Sequence, residues 1–536
     1  MAGEAKIEAK LLIDKTTNKV VYAETDECFV DTLLSFLTLP LGKIVVLLNP
    51  NPSPSPSPNP NPSPNPNPNP SSAFPFGCVG NLHHSVDRLD PGFFRTQACR
   101  SMLLSPRSAA APAAMEHAIE ALRIDPDQDR RRRSVHVCPE WTCATGDHKS
   151  YSLAPHTLCS CGHVMSKRAT VVGWGDGDGD GDDGVFVRGK GVRYIVTDDL
   201  RVMKSCASNC LALLQRLGIK SSGALHHKNV KIGRDEVLKL LKQSLISTTP
   251  LSDVFVSNWW AMLNQQKVSS KMHYFRAPTA AKSISSAATT KSQEIRITVL
   301  QNKSTNKVAY AEAGEDFLDL IFSFLVLPLG LVIKLLAGSS SIGCIDNLYH
   351  SIDELSVCYE CIKSEECKSA LMSPKLPPHF SVEKGLLNVE EAPAQVLTFI
   401  SCEGCCKKGS SDPQDKAKNL CSKSNKCTEM VALTVVNPKR SILSEEIAQK
   451  PLTTAESGGG YVKGPMRFLV SDNLGVMPFC SIDGLDAVRD SKGNIDDLEV
   501  VKVNVGPGEA LDLLKASLVS HRALTDSFLS GHSQAQ

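Results

Sequence analysis

The eight residues SFLTLPLG at 35–42 return as SFLVLPLG at 323–330, an offset of 288. The match runs back to the start of the phrase's neighbourhood, where KLLIDKTTNKVVYAE (10–24) lies over TVLQNKSTNKVAYAE (298–312) at the same offset. A repeat of this length is a fold unit used twice, not a motif. Beyond the phrase the offset falls by 22, with CVGNLHHSVDRL (78–89) over CIDNLYHSIDEL (344–355). The tract NPNPSPSPSPNPNPSPNPNPNP at 49–70 is 22 residues long, so removing it restores the register and marks it as an insertion. CRSMLLSPR (99–107) then pairs with CKSALMSPK (367–375), VRYIVTDDLRVM (192–203) with MRFLVSDNLGVM (466–477), and VKIGRDEVLKLLKQSL (230–245) with VNVGPGEALDLLKASL (503–518). The middle of each copy matches weakly. These blocks divide the chain into a first module at 7–255, a Ser/Ala/Thr-rich linker at 256–294 and a second module at 295–529.

Within one copy, LLIDKTTNKVVYAE reads as a hairpin turning at Asn18. DECFVDTLLSFL has apolar residues at 29, 30, 33, 34 and 37, one helical face. Pro40 must end or kink that helix, and Gly42 permits a fresh start into KIVVLL. RYIVTDDLRVM is strand, turn and strand; CLALLQRL is a helix; NVKIG is a strand and EVLKLLKQSL an amphipathic helix. Hairpins interspersed with helices, without regular strand–helix alternation, predict an α+β fold with largely antiparallel sheet.

Together, KLLIDKTTNKVVYAE, SFLTLPLG, CVGNLHHSVDRL, YIVTDDL and KIGRDEVLKLLKQSL, with their second-half counterparts, resemble the plant family called domain of unknown function 674. The resemblance covers nearly the whole chain and implies a plant origin and a duplicated module. It implies no activity, substrate or catalytic residue. The chain departs from the family pattern in the proline tract, in the Gly-Asp run GDGDGDGDDG (175–184) and in the weakly matching middles.

With 58 basic and 57 acidic residues there is no global field to draw nucleic acid or an anionic membrane. The N-terminus lacks the apolar core of a secretory signal. LIFSFLVLPLGLVIKLL (320–336) is 17 residues long, with Pro328 inside and Lys334 near its end, short of the roughly 20 that a span needs. A buried, kinked helix is the expectation, in an intracellular protein of the cytoplasm or nucleus. Nineteen cysteines in such a chain point to buried thiols or metal ligands rather than disulfides.

CPEWTC and CSCGHVM place Cys138, Cys143, Cys159 and Cys161 as two pairs, a set that could hold zinc tetrahedrally. The C-x-C-G-x-x-M element also resembles one in that family. In the second copy CEGCCKKG and CSKSNKC offer Cys402, Cys405, Cys406, Cys421 and Cys427, of which Cys402, Cys405, Cys421 and Cys427 form the second candidate set. The competing reading is free thiols in a loosely packed loop. DRRRR (129–133) is a solvated charge cluster without a second-copy equivalent, and the Gly-Asp run lacks the Glu that a calcium loop needs at its twelfth position, where Val187 stands. Asp198 and Asp199 read as turn residues. Cys206, matched by Cys480, reads as a small buried thiol. His84, matched by His350, reads as structural.

No phosphate loop, nucleophile elbow or H-E-x-x-H appears. The reading is a noncatalytic interaction or scaffold protein with structural zinc and a protein partner. Its rivals are an enzyme of unrecognised class and zinc-assisted nucleic-acid binding.

Overall fold

The computed structural model describes residues 7–49, 77–109, 134–140, 143, 146, 148–170, 184–189, 191–256, 294–357, 361–383, 385–401, 429–440, 459–482, 484, 488 and 495–529. Four sequence readings fall outside them: residues 50–70 of the proline tract, the basic run, residues 175–183 of the Gly-Asp run and nearly all of the linker. The second cysteine set, Cys402, Cys405, Cys406, Cys421 and Cys427, also lies outside the described residues.

The fold is α+β, with three largely antiparallel sheets among those residues. In the first sheet β1 (Ile7–Asp14) pairs with β2 (Lys19–Thr25) through a turn at Asn18, whose φ is 52°. Alternation turns Ala9, Leu11 and Ile13 toward the main core and leaves Glu8 and Lys10 outside, while Val21 and Ile195 on the opposite face pack with Leu213 in a small cluster of their own. β6 (Tyr194–Thr197), β7 (Val202–Lys204) and β8 (Leu225–Ile232) complete the order β7-β6-β2-β1-β8.

The second sheet uses β9 (Ile295–Asn302), β10 (Lys307–Ala313), β13 (Phe468–Ser471), β14 (Val476–Pro478) and β15 (Leu498–Val505) in the order β14-β13-β10-β9-β15. Its registers repeat those of the first. Lys10 faces Glu24 and Thr298 faces Glu312, and each hairpin shifts register at the same point.

The apolar phrase does not form one kinked helix. α1 (Glu27–Ser35) passes into a 3-10 turn at Phe36–Thr38, Leu39 and Pro40 are extended, and α2 (Leu41–Leu48) starts anew with Pro40 as its cap. The ring of Pro40 disfavours helical geometry at Leu39, which is extended, so the helical path cannot run on through the phrase. Residues 29–45 are buried throughout. The second half does the same with α8 (Glu315–Ser323), Pro328 and α9 (Leu329–Leu335). Among the described residues no helix is long and apolar enough to cross a membrane.

The two phrases meet. Pro40 and Pro328 form an antiparallel bridge, the Leu41 amide donates to Leu327 O and the Leu329 amide to Leu39 O, both at 3.0 Å. Around this contact pack α3 (Val79–Arg88), α4 (Gln97–Leu104), α10 (Ile345–Val357) and α11 (Glu365–Met372). Beside the sheets lie α5 (Ala207–Arg216), α6 (Arg234–Ile246), α7 (Pro250–Phe255), α12 (Pro507–Val519) and α13 (Ala523–Phe528). A single buried apolar cluster runs from Ala9 and Leu11 through Phe36, Phe324 and Leu327 to Leu513 and Phe528, so the main core belongs to both halves at once.

The third sheet lies in the weakly matching middles. Its order is β11-β12-β4-β3-β5, from β3 (Ser134–Val137), β4 (Ser150–Ser152) and β5 (Lys167–Thr170) of the first half and β11 (Leu397–Ser401) and β12 (Glu429–Val435) of the second. β4 and β12 join in parallel, Thr434 facing Ser150. Val135, Val137, Tyr151, Leu397 and Leu433 form its small separate core.

Candidate metal centre

The third sheet positions the first cysteine set. Cys138 directly follows β3, and Cys143 stands on the connection from β3 to β4. Between β4 and β5 the chain reverses: Leu158 bridges Val164, the Cys159 amide donates to His163 O at 2.8 Å, and the Gly162 amide donates to Cys159 O at 2.9 Å. Gly162 sits at φ +89°, left-handed backbone that a residue without Cβ adopts without strain. This turn presents Cys159 and Cys161 to the other two cysteines.

Cys138 Sγ lies 3.5 Å from Cys161 Sγ and Cys143 Sγ 3.4 Å from Cys159 Sγ, and all four Sγ atoms lie within 4.8 Å of one another. Four thiolates bound at 2.3 Å around one tetrahedral ion stand about 3.8 Å apart, so the set fits a metal with small adjustments. Cys138, Cys143 and Cys159 are buried and Cys161 is exposed. Met165 packs beneath the cluster, and Val436, just after β12, packs against it from the second half.

Burial pushes the Cys138 thiol up to about 11 and the Cys143 thiol higher still. Burial also raises Cys161, but hydrogen bonds from the backbone and ring of His163 and from Cys143 and Cys138 outweigh it and hold that thiol at about 6. His163 Nδ1 stands 3.5 Å from Cys161 Sγ. A metal ion bound by the set would draw the protons off the raised Cys138 and Cys143 thiols.

The other readings resolve individually. Asp199 stays in its turn, accepting from Thr197 Oγ1 at 2.5 Å, but Asp198 reaches away to Ser252, accepting from its amide at 2.8 Å and its hydroxyl at 2.6 Å. The residue with positive φ is Leu200, at 60°, matched by Leu474 at the same angle. Burial raises the Asp198 carboxyl to about 6. Cys206 and Cys480 are not buried thiols; both are exposed. Cys206 caps the start of α5 at the surface, 3.1 Å from Ser208 Oγ, and the bond to that hydroxyl lowers its pKa. His350 Nδ1 lies 2.6 Å from Asp346 O, a local tie within α10, and His83 Nε2 lies 3.2 Å from Leu104 O, tying α3 to the end of α4.

Two groups escaped the sequence reading. Asp31 on α1 is buried and accepts from the amides of Val185, Phe186 and Val187; Asp319 on α8 accepts from those of Tyr461 and Val462. The available signal was an Asp at matching positions of two apolar helices, FVDTLL and FLDLIF. The second is Lys439, buried over the Tyr461 ring at 4.3 Å, with Nζ donating to Ser381 O and to Gly459 O at 2.8 Å. Burial lowers its pKa to about 8.

Fold and site together define an α+β protein with a closed tetracysteine cluster that could hold a metal ion. The chain belongs to the family described as Protein of unknown function (DUF674), whose model matches residues 3–508. No curated protein and no solved structure matches it.

Proposed function

We propose that the chain is a noncatalytic interaction protein whose Cys138, Cys143, Cys159 and Cys161 hold one structural zinc ion. The observation that carries this reading is the closure of the cluster. Four cysteines fill a tetrahedral site, leaving no position for water or substrate, and this is the signature of a structural rather than a catalytic ion. The fit of the free thiols to a reducing compartment supports an intracellular location.

The use made of the buried ionisable groups favours a binding protein over an enzyme. Asp31 and Asp319 hold backbone amides, Asp198 and Asp472 hold Ser252 and Thr525, and Lys439 holds carbonyls. Each is occupied in positioning chain. A second zinc at Cys402, Cys405, Cys421 and Cys427 extends the proposal to the other half, and a protein is the partner that it expects.

Metal analysis of the purified full chain tests the reading. Two zinc equivalents are expected, one lost in Cys138→Ser and one in Cys402→Ser. A folded protein containing no metal would overturn it, and so would a redox-active iron in place of zinc, which fits the same ligand set.

A further inference from the structure

The two halves are bound to one another by contacts that come in reciprocal pairs. The Cys78 amide at the start of α3 donates to Ser517 O on α12, and the Cys344 amide at the start of α10 donates to Ser244 O on α6, at 2.6 and 3.0 Å. Ser85 Oγ on α3 accepts from the Val476 amide of β14, and Ser351 Oγ on α10 accepts from the Val202 amide of β7, both at 2.9 Å. The Lys463 amide donates to Phe93 O and the Arg95 amide to Tyr461 O, while the Lys363 amide donates to Phe186 O and the Arg188 amide to Cys361 O. In every pair the segment after the phrase bonds to the opposite half: to a helix in the first, to a sheet strand in the second and to the chain leading into a strand in the third.

Gly77 and Gly343 show how closely these segments dock. Both have positive φ, 52° and 47°, and a Cβ on either would overlap the carbonyl oxygen of Ser517 or Ser244 in the other half. At the centre the two PLG phrases bond to each other, so one sequence meets its own copy. Such a contact is self-complementary, the kind that symmetric dimers make.

We propose that the halves are obligate partners: each lends α3–α4 or α10–α11 to close the other's core, and the surface so formed is built to receive a second copy of the same module. The chain is then a covalently joined pair rather than two independent domains on a tether. Neither half buries its own apolar surface without the other.

The test keeps the full chain and places a sequence-specific protease site between residues 270 and 290. After cutting under native conditions, light scattering behind size exclusion is expected to show one particle with the mass of the intact chain, unfolding in one transition. Separation into two folded species of about half that mass overturns the proposal. In the cut protein, Ser351→Ala removes one reciprocal hydrogen bond and is expected to weaken association of the halves about 3- to 10-fold. Unchanged association in Ser351→Ala and in Gly343→Ala alike would show that these contacts do not join the halves.

Discussion

Asp198 bonds the amide and hydroxyl of Ser252, and that hydroxyl in turn accepts from the Val20 amide at 2.8 Å, so one carboxyl ties a turn, a helix start and a strand together. Asp472, Thr525 and the Val308 amide repeat the chain of bonds. Asp198→Ala removes the carboxyl that accepts from the Ser252 amide and hydroxyl and is expected to lower stability by about 1–3 kcal/mol in urea denaturation. The pH dependence has a definite sign. The folded-state pKa of about 6 lies above the ordinary 3.8, so the contribution is complete below about pH 4 and is lost as pH rises through 6. Asp198→Asn should remove that loss, so its stability relative to the parent rises between pH 4 and 7. Burial raises the Asp319 carboxyl to about 6 as well, giving the same sign. Thiol chemistry is also set residue by residue. Iodoacetamide should modify exposed Cys206 in the native protein, whereas Cys78, whose thiol burial raises to about 12, should react only after denaturation, as mass mapping would show.

At the scale of the element, the sequence was largely legible where local pattern decides structure. The hairpin 10–24, the strand–turn–strand of YIVTDDLRVM and the helix of EVLKLLKQSL stand where alternation and helical spacing put them. Glu236 Oε2 accepts from the Gly233 amide and Glu509 Oε2 from that of Gly506, each at 3.0 Å, so KIGRDE and NVGPGE are helix starts with the same cap. The break at Pro40 was legible too, but not that the residues around it pair with Leu327 and Leu329. The third sheet was not legible, because its strands are short and two of them come from far along the chain. Gly343→Ala tests an element start. Left-handed backbone costs a residue with a Cβ about 1–2 kcal/mol, and the overlap with Ser244 adds to it. A fall in stability of at least about 2 kcal/mol is expected, with Gly508→Ala, whose Cβ meets nothing, as the control.

Over the whole molecule, the tetracysteine cluster and the junction of the halves share one loop. β4, the strand that pairs with β12, lies between Cys143 and Cys159, and the Thr434 and Val436 amides donate to Lys149 O and Tyr151 O at 2.8 Å. Chelation of the proposed zinc should therefore lower Tm and deprotect these two amides in hydrogen exchange, while those of β1 and β9 stay protected. Undiminished protection at Thr434 and Val436 after metal removal would separate the metal from the junction.

By itself the sequence determined the recurring blocks, the α+β class and most strands and helices, since these follow from periodicity and proline geometry, and it offered Cys138, Cys143, Cys159 and Cys161 as one candidate set that the tertiary structure brings together. Only the tertiary structure decided which half each helix serves. Ser85 could as well have met Val202 as Val476, because both strands carry the same Val-Met. Local pattern is identical for the two choices, and the difference is made by how the chain closes around the meeting of SFLTLPLG with SFLVLPLG.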